Sequence, residues 1–192
     1  MYQTILDLLL HKQIQFEKGK IYLFQQTILI SPLEYNYFLL KTLESKSLEN
    51  IIYYSTKETG MKWLEDMIPR YNMDMLQLIK WGNEILSLSG WGILELKDIN
   101  KDSKIALFSL KDATIALKYG KSDHAVDHLL RGYVASFACK VFGCDMDAVE
   151  HKCIAKGDET CEYLVKPANE WDLTNQLVKK QLYNPIENNQ IK

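Results

Sequence analysis

Apolar and polar residues alternate through IQFEKGKIYLFQQTILI, residues 14–30, on both sides of Lys18-Gly19. A period of two broken by a glycine turn predicts a β-hairpin. Pro32 closes the hairpin and opens a helix, since proline suits a first helical turn and cannot continue a strand ladder. From PLEYNYFLLKTLES through SLENIIYYSTKETGMKWLEDM to NMDMLQLIKWGNEILSLSG the apolar positions recur at helical spacing instead. Ser47 and Asn72 stand where caps belong, and Gly60 and Gly90 read as interruptions or stops, which gives a block of two to four helices. Upstream, MYQTILDLLLHK predicts an amphipathic helix.

A second strand pair follows, WGILELKDI and KIALFSL, joined by the polar turn Asn100 to Ser103. DATIALKYG predicts a short helix, and SDHAVDHLLRGYVASFACKVFG a longer one from about Asp123 to Gly143. Its C-terminal half carries Gly132, Ala135, Ser136, Ala138 and Cys139, small enough to admit another backbone or a ligand. DMDAVEHKCIA and TCEYLV form a last hairpin, ANEWDLTNQLVKKQL reads as helical and NPIENNQIK as frayed. Helices and hairpins are grouped rather than strictly alternating, which points to an α+β fold with a mainly antiparallel sheet packed against a helical block.

The 192 residues, 47% apolar and 25% charged with a formal net charge of -2, suit one domain able to bury its core without staples. That balance gives no reason to expect nucleic-acid binding, and the one stretch suggestive of a helix-turn-helix, TLESKSLENIIYYSTKETG, sets Lys46 and Lys57 against Glu44, Glu49 and Glu58. No segment approaches the roughly 18–20 uninterrupted apolar residues of a membrane span. A cytoplasmic chain is therefore expected, and with it reduced thiols.

Chemistry concentrates in VEHKCIAKGDETCEYLV, residues 149–165, where Cys153 and Cys161 face each other across one hairpin turn. A metal clip, a disulfide and chance are all compatible with that spacing, and a reducing compartment favours the metal. Zinc takes thiolate, imidazole and carboxylate in a tetrahedron, so Glu150 is a third candidate. Residues three apart on a regular strand point to opposite faces, so a bulge or a strand end has to lie between Glu150 and Cys153. A fourth ligand is on offer in DHAVDHLL, from His124, Asp127 or His128, although Asp123 is also a good N-cap and first-turn histidines are commonly solvated. Cys139 and Cys144 read as inert small hydrophobes.

DHLLRGYVASFACKVFG followed by DAVEHKCIAKGDETCEYLVKP resembles the 4-vinyl reductase domain family, through Gly132-Tyr133, Glu150, Cys153, Gly157, Cys161, Lys166 and Pro167. The resemblance is specific over about residues 121–167 and weaker back to Gly60; residues 1–45 look like the lead-in of stand-alone archaeal members. It implies a single domain over 1–183, with a lead-in of helix, hairpin and helix (1–45), a family core (46–167), a C-terminal helix (168–183) and a frayed tail (184–192). It implies a zinc held by Glu150, Cys153 and Cys161, with a further cysteine of the family replaced here by Asp127; His124 or His128 are alternatives to Asp127. It also implies a dimer and a pocket for a hydrophobic or aromatic small molecule, with Trp91, Phe108, Tyr133 and Phe137 as candidate ligand-binding residues and Trp63 or Tyr119 beside them.

The same fold is similar to the ligand-binding, NO-signalling and Golgi-transport group that includes the TRAPP vesicle-tethering subunits. The resemblance thus implies a zinc-containing sensor domain acting through a dimer or a partner protein, with a TRAPP-like dimerising scaffold as the alternative. Reduction of a vinyl group is the weakest reading. No G-x-G-x-x-G follows a strand, and a zinc with four protein ligands leaves no position for water.

Overall fold

The computed structural model describes residues 10, 12–72 and 74–185. The amphipathic helix expected over the first dozen residues, save Leu10 and Lys12, and the tail beyond Pro185 lie outside the described residues. The chain opens with a meander of three antiparallel strands, β1 (Ile14–Glu17), β2 (Lys20–Leu23) and β3 (Gln26–Ile28). The first turn is the expected one, at Gly19 with φ +78°. The second turn, and with it β3, was not legible in the alternation, because its two residues are Phe24 and Gln25, both left-handed at φ 50° and 65°. A two-residue turn with both φ positive matches the twist of a hairpin but favours Asn and Gly.

What holds Phe24 there is tertiary. Its ring is buried, edge-on to Trp63, Tyr71 and Trp81 at 6.3, 5.5 and 5.6 Å. Phe24→Ala is expected to cost about 3–5 kcal/mol, the usual range for emptying a buried aromatic site. Urea denaturation measures it, and hydrogen exchange should show the meander opening ahead of the rest.

Three helices follow: α1 (Leu33–Glu44), entered through Pro32, α2 (Asn50–Tyr71) and α3 (Met75–Leu88). Two expected caps are corrected. Ser47 is a left-handed turn residue at φ 56° and caps nothing, and Asn72 ends α2 at φ 48° rather than starting α3. The start of α3 belongs to Asp74, in a reciprocal capping box with Gln77. Gly90 does stop α3. The Trp91 and Gly90 amides donate to Leu86 and Ser87 carbonyls, the 6→1 and 5→2 pattern that needs a left-handed residue between them. Gly60 interrupts nothing: it lies inside α2, where an added Cβ would meet Ser136 Cβ at 2.8 Å.

The second sheet is antiparallel throughout, in the order β4 (Ile93–Asn100), β5 (Ile105–Lys111), β7 (Cys161–Pro167), β6 (Met146–Lys152). Between β5 and β6 run the short helix α4 (Thr114–Tyr119) and the small-residue helix α5 (His128–Phe142). Ala106, Phe108, Leu110, Tyr163, Val165 and Ala148 present one sheet face to Leu130, Val134 and Ala138 of α5, forming the main core. On the other side of α5, Gly132 lets α2 come so close that a Cβ would strike the Tyr53 carbonyl and stand 3.0 Å from the Lys57 amide. The architecture is α+β, helices on an antiparallel sheet.

Two further expectations change. Helix α5 starts at His128, not near Asp123, because the preceding backbone is taken elsewhere: the Ser122 amide donates to the Ala155 carbonyl at 2.7 Å and the Asp127 amide to Glu150 Oε2 at 3.0 Å. The single C-terminal helix is instead a 3-10 turn, Ala168–Glu170, and a short helix α6 (Gln176–Leu182) capped by Asn175.

Candidate metal centre and apolar groove

The last hairpin carries the irregularity that its chemistry requires. The β6–β7 register slips between Glu150 and Lys152, and the strand ends there. Cys153 then leads into a 3-10 turn, Ile154–Lys156, closed by Gly157 at φ 99°, and its amide donates to Asp158 Oδ2 at 2.8 Å. Cys161 is the first residue of β7. Glu150 and the two cysteines thereby turn inward together, with their donor atoms all within 4.8 Å of one another and the two sulfurs 3.9 Å apart.

Asp127, just ahead of α5, completes the surroundings. Besides its amide bond to Glu150, it accepts from the Tyr163 hydroxyl at 3.3 Å and faces Cys161. Asp127, Glu150, Cys153 and Cys161 are 0–1% exposed. Burial pushes Asp127 up to about 8, reinforced by the Glu150 charge, and Glu150 well above the carboxylate range. Cys153, accepting a bond from the Cys161 thiol, is lowered to about 6, while Cys161 is pushed up in exchange. Glu150 Oε1 is buried with no partner among the described residues. Two carboxyls and two thiols with so little compensation are costly on their own, and thiolate plus carboxylate is a donor set that suits a divalent metal. The residues present therefore fit a metal.

The histidines point elsewhere. His124 is 2.6 Å from Asp123 through Nδ1 and 3.2 Å from Glu44 through Nε2. His128 is buried and held well below its usual range by burial and by Arg131, which donates to His128 Nδ1 at 3.0 Å. A neutral ring that accepts at Nδ1 carries its proton on Nε2, leaving no lone pair for a metal in this arrangement.

Sequence reasoning missed the polar network behind the centre. Arg131 is fully buried, donating to the Ala148 and Gln181 carbonyls at 3.1 and 3.0 Å and to Asn50 Oδ1 at 3.1 Å. Gln181 pairs its amide with both main-chain groups of Glu150, at 2.8 and 2.9 Å, like one residue of an added strand. An arginine inside a small-residue helical stripe was the one signal of this in the sequence.

The proposed ligand-binding aromatics divide. Trp91, Tyr133 and Trp63 line an apolar groove of about 1080 Å³ between the meander, α2 and the end of α3. Phe137 stacks behind Tyr133, ring centres 4.8 Å apart, and Phe108 belongs to the sheet core. Tyr119 is held by Lys41 and Glu44 at 2.6 and 2.9 Å and does not line the groove.

Residues 107–167 match the model of the vinyl-4-reductase domain family, and this part of the chain is a domain of that family, the one that the sequence resembles. The chain is 34% identical over 119 residues to an uncharacterized protein of Methanocaldococcus jannaschii, covering 62% of this chain and 65% of that one. It is 32% identical over 62 residues to the phenol regulator MopR of Acinetobacter guillouiae, covering 32% of this chain and 11% of MopR. The match thus spans less than two thirds of the archaeal relative and a small part of MopR. The fold is similar to the phenol-responsive sensory domain of the transcription activator PoxR with phenol, at TM-score 0.71 and 16% identity over 91% of this chain and 94% of that one. No helix among the described residues is long and apolar enough to cross a membrane.

Proposed function

We propose that this chain is a sensor domain for a hydrophobic or aromatic small molecule, built around a structural zinc and acting in the cytoplasm through a dimer or a partner chain. The similarity to the phenol regulator MopR carries the reading, and the apolar groove beside α5 supports it. Zinc would be held by Glu150, Cys153, Cys161 and Asp127; bound there, it would pin the two arms of the last hairpin to the start of α5. Residues 1–183 act as one domain in this reading, since α2 packs along α5 and Lys118 of the core pairs with Glu34 of the lead-in at 3.0 Å. Phe16, Leu29, Ile30 and Phe38 are exposed apolar residues of the meander and α1, which suits a protein contact, whether in a sensor dimer or in the scaffold alternative.

A thermal-melting screen of the zinc-loaded chain against phenols, indoles, naphthols and longer hydrophobes tests the reading. A true ligand at about 100 times its Kd adds about 2.7 kcal/mol, a rise of roughly 5–10 °C for a domain of this size. If nothing in the panel shifts the melt and mass spectrometry of the purified chain finds no bound small molecule, the sensor reading fails and the scaffold reading replaces it.

A further inference from the structure

The groove says more about its occupant than that it is apolar. A cavity of about 150 Å³ is enough to hold benzene, and this groove offers about 1080 Å³. A single ring would leave most of the wall formed by Ile21, Ile28, Trp63 and Ile85 in water, forgoing the burial that drives apolar binding. Among the lining groups, Tyr133 stands out. Its hydroxyl is buried and has no hydrogen-bond partner among the described residues. An unpaired buried hydroxyl costs roughly 1–3 kcal/mol, which a ligand oxygen placed against it would recover.

The charge around the groove limits that oxygen. Lys62 and Asp66 are charged lining residues, and both are engaged: Lys62 with Glu58 at 2.6 Å, Asp66 with Gln26 at 3.2 Å. Burial alone pushes the Tyr133 hydroxyl above its usual range, with no cation contributing. A carboxylate or phosphate carried to that depth would be a buried anion without a counter-charge, which is far more costly than a neutral oxygen.

Resting on the sensor reading above, we infer that the ligand of this groove is a neutral, elongated lipophile, several times the size of one aromatic ring, whose single oxygen accepts a hydrogen bond from Tyr133. A long-chain alcohol is the simplest member of that class. The ring of Tyr133, backed by Phe137, would contact the first carbons, and the meander would cover the rest of the chain.

Nile red fluorescence with the full-length chain reads occupancy, and 1-decanol, decanoate and phenol compete for it. One Nile red site per chain is expected, with decanol displacing it at least tenfold better than either decanoate or phenol. Tyr133→Phe should keep the melting temperature, since it deletes only an unpaired hydroxyl, and should weaken decanol about threefold to tenfold, the worth of one hydrogen bond. Phenol competing as well as decanol overturns the size argument while leaving the sensor reading standing. Decanoate competing equally overturns neutrality, and an unchanged decanol affinity in Tyr133→Phe overturns the anchor. No Nile red uptake by a chain that sediments as a dimer assigns the groove to a second copy and ends the inference; the sensor reading then answers to its own melting screen.

Discussion

Cys161→Ser is expected to abolish one equivalent of zinc per chain and to lower the melting temperature by roughly 10–20 °C. The size follows from the burial of the group. A structural zinc contributes its binding free energy directly to folding, and losing about 4–5 kcal/mol moves the midpoint by about 2–4 °C per kcal/mol in a chain of this length. Serine keeps the shape but supplies a poor zinc ligand, and it leaves Glu150, Asp127 and Cys153 buried around a vacated centre. The Ile154 amide, which donates to Cys161 Sγ at 3.4 Å, loses that acceptor too. Elemental analysis and a melting curve on the same sample check both halves. Cys144→Ser, outside the cluster, serves as the control and should retain metal and stability. Full zinc content in Cys161→Ser would mean that another set of atoms binds the ion, and a wild-type chain whose melt is unmoved by a strong chelator would remove the structural role altogether.

The hairpin holding this group could be read from the sequence because its requirements are local. Two cysteines around Gly157 fix a turn, and the argument that Glu150 needs a broken strand to join them is met by the register slip before Lys152. The choice among Asp127, His124 and His128 was not legible. It turns on which backbone amide Glu150 captures and which acceptor Arg131 finds, contacts that span 23 residues in one case and a helical turn in the other. The start of α5 was misjudged for the same reason: Asp123 has the right chemistry for a cap, but the amide bond from Asp127 to Glu150 delays the helix.

The meander shows a different limit. Alternation cannot locate a turn made of Phe24 and Gln25, since neither residue favours a left-handed backbone and the compensation lies in three aromatic rings on α2 and α3. Gly60 and Gly132 invite the opposite error. A glycine in a helical pattern reads as a break, yet both sit within helices because two backbones cross there. The aromatic candidates for ligand binding sorted by depth in the same way: an alternating strand places Phe108 in the core, but only packing decides that Tyr133 faces a groove and Phe137 stands behind it.

Arg131→Ala is expected to destabilise the fold by about 3–5 kcal/mol, the range for removing one member of a buried charged network. The guanidinium lies 4.3 Å over the Tyr53 ring and serves four acceptors, from α2, β6, α6 and its own helix. Truncation leaves the Ala148 and Gln181 carbonyls and Asn50 Oδ1 in a dry interior and takes away a cation whose charge attracts Glu150. Lysine should not rescue it, because one ammonium cannot reproduce a planar fork bonded in four directions. The loss should also be uneven. Helix α6 is tied down by Arg131 at the Gln181 carbonyl, by Asn50 at the Lys180 and Tyr183 carbonyls at 2.7 and 3.0 Å, and by Tyr54 at the Leu182 carbonyl at 2.6 Å. Hydrogen exchange in Arg131→Ala should therefore accelerate first in Gln176–Leu182 and at Glu150, ahead of β4 and β5. Urea denaturation of Arg131→Ala and Arg131→Lys measures the magnitude. A midpoint within about 1 kcal/mol of wild type, or exchange that rises uniformly along the chain, would show that the arginine is incidental to how the C-terminal helix is held.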